Sequence, residues 1–99
     1  MIYELREYDA MPGRMPALLK RFETRTLRIW ERFGVRQVGF WTVIVGPSHL
    51  KLIYMLAWET MAERDEKWSA FAADPEWQQV LAESERDGII VGRAHNMLL

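Results

Sequence analysis

Apolar and polar positions alternate at the start of the chain. Over residues 2–9, Tyr3 and Leu5 share one side of an extended segment and Glu4, Arg6 and Tyr8 share the other, which predicts a strand. A turn rich in Pro and Gly, AMPGRMP, occupies 10–16. Leu18, Leu19, Phe22, Thr26, Ile29, Trp30 and Phe33 then recur at helical spacing, and Gly34 is a natural C-terminal stop. A helix is therefore expected over residues 15–33. Residues 35–45 and 50–58 read as two strands joined by GPSH, and these strands do not alternate. Val43, Ile44 and Val45 are an unbroken apolar run, and so are Leu52 to Trp58, as if both faces of the hairpin were buried.

TMAE at 60–63 is a capping box that opens a second helix, with Met61, Arg64, Trp68, Phe71 and Ala72 on one stripe. Asp74 and Pro75 restart the helix, Trp77, Val80, Leu81 and Ser84 form its inner side, and Gly88 ends it. Residues 90–98 form a last strand. The order strand, helix, strand, strand, helix pair, strand is the α+β, ferredoxin-like βαββαβ arrangement, an antiparallel sheet with helices on one face. Those helices cover one side of the hairpin. A second copy, related by a two-fold axis, is the simplest cover for the other, so the pattern predicts a homodimer through the sheet face, a dimeric α+β barrel.

A length of 99 residues implies a single domain, 1–99. The net charge of −1 gives no electrostatic case for nucleic-acid binding. There are no cysteines, which excludes disulfides, thiolate metal sites and a cysteine nucleophile. No apolar run reaches the ~20 residues of a membrane span, and MIYELREY reads as a strand, not a secretory leader, so a cytoplasmic location is expected. Phosphate-loop and GxSxG patterns are absent, and no Ser–His–Asp set is ordered by the sequence.

YELREY, the GFW at 39–41 with a glycine shortly after it, and AWETMAERDEKWSAFAADPEWQQV resemble the NIPSNAP family over about residues 2–98. The resemblance implies the ferredoxin-like domain and dimeric barrel reached above. It implies no settled activity: the family name comes from gene neighbourhood and a presumed vesicular-trafficking link, and its fold superfamily includes cofactor-free monooxygenases and haem-dependent enzymes. Many members carry His where this chain has Tyr54, and a Trp and a Tyr where it has Leu56 and Trp58.

Candidate chemistry is sparse. His49 and His95, the only histidines, have no partner spaced to hold a metal, and no metal or cofactor is expected. Glu4, Arg6 and Tyr8 stack on one strand face. They are read first as an interfacial network that fixes the dimer register, and second as a polar set orienting a ligand, with Glu4 or His49 as a base and Arg6 as the stabilising charge of a cofactor-independent oxygenase. Trp41, Trp68, Phe71 and Trp77 either line an apolar pocket between sheet and helices or form solid core. Arg64 snorkels, or pairs with an acid of the first strand or of the partner. Arg14, Arg21, Arg25, Arg28 and Arg32 are read as a solvated face, against an anionic-lipid or phosphate surface. The ligand-pocket candidates are thus Arg6, Trp41, His49, Tyr54, Arg64, Trp68 and Trp77, no catalytic residue is assigned, and two functions compete: a dimer binding a small apolar or aromatic ligand, with a monooxygenase-like enzymatic version, and a non-catalytic interaction or scaffold dimer.

Overall fold

The computed structural model describes all 99 residues, Met1–Leu99. Four strands, β1 (Ile2–Ala10), β2 (Arg36–Thr42), β3 (Lys51–Trp58) and β4 (Val91–Leu98), form one antiparallel sheet in the order β2-β3-β1-β4. Helices α1 (Met15–Arg21) and α2 (Leu27–Phe33) connect β1 to β2, and α3 (Met61–Ala72) and α4 (Pro75–Ser84) connect β3 to β4. Central β1 and β3 flanked by β4 and β2 is the ferredoxin-like topology that the order of elements predicts.

The expected 15–33 helix forms as one rod, but a π-helical turn, Phe22–Thr26, sits in its middle. Leu18, Phe22, Thr26 and Trp30 are all buried at four-residue spacing. At 3.6 residues per turn that spacing would drift around the helix, and the wider turn absorbs the drift. Gly34 closes the rod in the left-handed conformation at φ 73°, and Val35 N–H returns to the Trp30 carbonyl at 2.9 Å. The two later helices start on the caps read from the sequence. Thr60 Oγ1 accepts from Glu63 N at 3.0 Å, and Asp74 Oδ2 accepts from Trp77 N at 3.0 Å. Asp74 also receives Arg32 through both carboxylate oxygens, at 3.2 and 2.9 Å, which ties α4 to α2.

β3 alternates strictly once folded: Leu52, Tyr54, Leu56 and Trp58 are buried under the helices, and Lys51, Ile53, Met55 and Ala57 point the other way, half-buried. The unbroken apolar run therefore encodes two faces of different depth. Three expectations need correction. β2 ends at Thr42, not residue 45, and Val43–Leu50 is an irregular connection in which Ile44 and Val45 are 87% and 90% exposed. Pro47 and Gly46 stop pairing before the apolar run can join the sheet. Met61 and Ala72 are exposed, so the inward stripe of α3 narrows to Arg64, Trp68 and Phe71. The Glu4–Arg6–Tyr8 face lies under the chain's own helices, opposite Leu56, Tyr54 and Leu52, and does not form the outer surface of the sheet. The outer surface carries Tyr3, Leu5, Glu7 and Asp9.

Candidate functional site

The polar centre of the molecule is Glu4, whose side chain is 0% exposed. β1 places it beneath α3, and five donors converge on it. Arg64 Nε and Trp58 Nε1 reach Oε1 at 2.8 and 3.1 Å. Arg6 Nη1, Asn96 Nδ2 and Arg64 Nη2 reach Oε2 at 2.9, 3.0 and 3.2 Å. Burial alone would raise the pKa of this carboxyl. The hydrogen bonds from Arg64, Asn96 and Arg6 outweigh it and hold the group down at about 2. Arg64 thus pairs with the first-strand acid, one of the two options its helical position allowed. The favoured expectation of an interchain network is replaced by this intrachain one: the helices pack on the face of β1 that carries Glu4 and Arg6.

From Glu4 the network continues along the same strand face. Arg6 Nε donates to the Tyr54 hydroxyl at 2.7 Å, and that hydroxyl donates to Tyr8 Oη at 2.8 Å. The Arg6 guanidinium lies 4.6 Å above the Trp68 ring. Burial pushes the Tyr54 phenol well above its ordinary value, so it stays protonated and acts as a donor. Aromatic rings fill the space around this chain. Trp30, Trp68, Phe71 and Trp77 follow one another at ring distances of 6.0, 5.2 and 4.8 Å. None of the three main clefts is lined by Trp68 or Trp77, and the tryptophan region is packed as core.

Trp41 is not part of that packing. It lies opposite Ile53 on the outer sheet face and is 51% exposed. The GFW triplet has a physical reason: Phe40 points inward against Tyr54, while the Trp41 ring folds back along the outer face over Gly39. A Cβ at position 39 would sit 2.9 Å from Trp41 Cη2. The expected grouping of Trp41 with Trp68 and Trp77 fails because Trp41 is the strand neighbour of inward-facing Phe40 and so faces outward, whereas Trp68 and Trp77 sit on α3 and α4 across the sheet. His49 is exposed in the Val43–Leu50 connection. His95 lies on the outer face, 3.4 Å from Asp9 through Nε2, beside a cleft of about 270 Å³ lined by Leu5, Glu7, Lys51 and Met97. No group of three His, Cys, Asp or Glu side chains could hold a metal ion.

The arginines of the first helix do not form the single solvated face that their spacing predicts. Arg25 pairs with Glu83 at 3.5 Å, and Arg32 pairs with Asp74 and Glu76, as a solvated and internally compensated face would. Arg21, the last residue of α1, is 7% exposed and has no carboxylate within 4 Å. It faces α4 across a cleft of about 340 Å³. Position 21 follows Leu18 by three residues, and that was the available signal for its inward direction.

A small ferredoxin-like domain with a closed aromatic core and a saturated internal carboxylate defines the class. The chain belongs to the NIPSNAP family, whose model matches residues 3–99. It is similar to the crystal structure of a NIPSNAP family protein with unknown function from Agrobacterium tumefaciens, at 28% identity and a TM-score of 0.86 over 100% of this chain and 86% of that one. An uncharacterized NIPSNAP domain protein from Burkholderia xenovorans is similar at 24% identity and a TM-score of 0.85, over 100% and 92%. A putative antibiotic biosynthesis monooxygenase from Nitrosomonas europaea shares the fold at 7% identity and a TM-score of 0.66, over 100% and 96%. No curated protein matches the chain. No helix is long and apolar enough to cross a membrane.

Proposed function

We propose that the protein is a homodimeric small-molecule-binding domain in which two copies stack the outer faces of their sheets. The observation that carries the dimer is a mismatch between faces. The helices seal one side of the sheet, and the other presents Tyr3, Trp41 and Met97 exposed to solvent and Leu5, Ile53 and Met55 partly exposed. Covering what remains exposed of these six side chains contributes a few kcal/mol per chain, at about 25 cal/mol per Å² of apolar surface. The same face carries Lys51 with Glu7 and Asp9, at 3.4 and 2.9 Å, a charge set that is self-complementary across a two-fold axis.

Catalysis of the monooxygenase kind has the shared fold behind it but lacks a free base in the buried network. Every lone pair of Glu4 is engaged, and its depressed pKa makes it a weak proton acceptor. Binding is the reading that the remaining geometry favours, because the α1–α4 cleft holds cations that the chain itself leaves unpaired. A second reading, a non-catalytic interaction dimer, rests on one observation: Ile44 and Val45 stand almost fully exposed on the Val43–Leu50 connection.

Light scattering tests the dimer. At micromolar concentration the wild-type chain is expected at twice its mass of 11.7 kDa, and Ile53→Glu at the monomer mass with an unchanged far-UV spectrum. A monomeric wild type would sink the proposal. Ile44→Ser with Val45→Ser separates the two readings. Small-molecule binding survives it, whereas a surface built around those residues loses its partner.

A further inference from the structure

The cleft between α1 and α4 brings two guanidinium groups onto one residue. Arg14 Nη2 donates to the Ser84 carbonyl at 3.2 Å and to the Gly88 carbonyl at 3.2 Å. Arg21 Nη1 donates to Ser84 Oγ at 3.2 Å. Neither arginine is within 4 Å of a carboxylate, and the Nε of each is buried without an acceptor. A buried guanidinium paired only with a hydroxyl is costly, and two that meet on one serine repel as well. Trp77 lies 5.6 Å from the Arg21 guanidinium and offsets little of this. Burial pulls the pKa of Arg21 below its ordinary value and Arg14 adds to the effect, while Glu85 and Tyr8 work against it. The group remains charged near neutral pH all the same. Most chains would place an acid at such a point; this one leaves a cleft of about 340 Å³, within the usual range for a small-ligand site.

We infer that this cleft binds a phosphate monoester, with Arg21 and Arg14 as its principal donors. Four cations, Arg14, Lys20, Arg21 and Arg25, line it against two carboxylates, Glu83 and Asp87, an excess of two positive charges. A phosphate monoester carries about −1.5 to −2 at pH 7 on one compact group that accepts from several N–H donors at once. A dicarboxylate would divide that charge between two ends, whereas Arg14 and Arg21 converge on one point at Ser84. The head group is available from a soluble metabolite or from a lipid. The inference deepens the reading of the protein as a binding domain. It does not depend on the dimer, since one chain builds the whole cleft.

The test uses the full chain, dialysed free of phosphate. Arginine Nε–H resonances are followed by NMR while inorganic phosphate or glycerol 3-phosphate is added, with succinate as the dicarboxylate arm. The Arg21 and Arg14 resonances are expected to shift at millimolar phosphate or below. In Arg21→Met and in Arg14→Gln the affinity is expected to fall about tenfold or more. In Arg25→Gln it is expected to change less than twofold. Retained circular dichroism and melting behaviour separate lost binding from lost fold. Vesicles containing phosphatidic acid form the second arm: retention of wild type but not Arg21→Met would assign the same head group to a lipid. Succinate binding more tightly than phosphate overturns the inference. So does phosphate binding that survives Arg21→Met, or an absence of response from both arms. Light scattering on the same samples reports the dimer separately, so failure of one claim is not mistaken for failure of the other.

Discussion

The molecule buries arginine in two places and treats it in opposite ways. Under α3, Arg6 and Arg64 share a single carboxylate, Glu4, and two uncharged donors complete its shell. Between α1 and α4, Arg14 and Arg21 share Ser84 and no carboxylate at all. The first centre is closed: donors and acceptors match, aromatic rings exclude water, and nothing is left to meet a ligand. The second is open: cations exceed anions and donors go unused. A buried charge that the chain neutralises itself is architecture, whereas one left unneutralised calls for something the chain does not supply.

The sharpest way to break this contrast is to empty the closed centre. Glu4→Gln removes the one buried negative charge that Arg6 and Arg64 share, and leaves Arg64 only the exposed Asp65 at 3.3 Å. Breaking a buried pair in this way costs about 3–5 kcal/mol. At about 4–8 °C per kcal/mol for a domain of this size, the melting midpoint should fall by roughly 15 °C or more in a calorimetric or dichroism scan. A loss under 1 kcal/mol would show that Glu4 is not the keystone it resembles.

Acid reaches the same centre without mutation. The folded pKa of Glu4, about 2, lies below its ordinary 4.5, so the unfolded chain takes up the proton first. The stabilisation is therefore fully present above pH 4.5 and is lost as pH falls from 4.5 towards 2, on the order of 3 kcal/mol in all. Urea titrations across that window should show the loss in wild type and a much flatter profile in Glu4→Gln. An equal slope in both would assign the acid sensitivity to other carboxylates.

How much of this was legible from residues alone differs between the two centres for a geometric reason. The closed centre sits on strands, where parity is unambiguous: Glu4, Arg6 and Tyr8 had to share a face, and Arg64 had to meet it if α3 lay above. What parity does not supply is which face the helices cover, so from the residues alone the network fits a dimer interface as well as the core. Trp41 shares its chemistry with Trp68 and Trp77, but its position next to inward-facing Phe40 puts it outside. The open centre sits on a helix interrupted by a π-helical turn. There the regular spacing of Arg21, Arg25, Arg28 and Arg32 suggested one solvated stripe, yet Arg21 precedes the turn and faces α4. The caps at Thr60, Asp74 and Gly34 were the most reliable signals because each is a local hydrogen-bond requirement, independent of tertiary packing.

A smaller effect probes how far the closed centre extends. Tyr54→Phe keeps the ring against Phe40 and Phe22 but deletes the hydroxyl between Arg6 and Tyr8. Arg6 Nε then loses its acceptor while Arg6 Nη1 keeps Glu4. The expected loss is about 1–3 kcal/mol by urea denaturation, the cost of one buried donor left unmet. Combined with Glu4→Gln it should be less than additive, because both changes unsettle the same guanidinium.

The smallest expected change is the one whose sign separates the centres. Arg21→Met replaces a buried, uncompensated cation with an apolar side chain of similar length against Trp77 and Val80. In phosphate-free buffer this should leave the protein as stable as wild type or raise its stability by about 1 kcal/mol, since desolvation is relieved and no ion pair is lost. Arg64→Met, made in the closed centre, should lower stability, because it strips Glu4 of two hydrogen bonds and a counter-charge. Opposite signs for the same exchange at two buried arginines would establish that only one of them is there for the fold. Equal destabilisation would mean that Arg21 is held by its own chain, and that the α1–α4 cleft is closed chemistry as well.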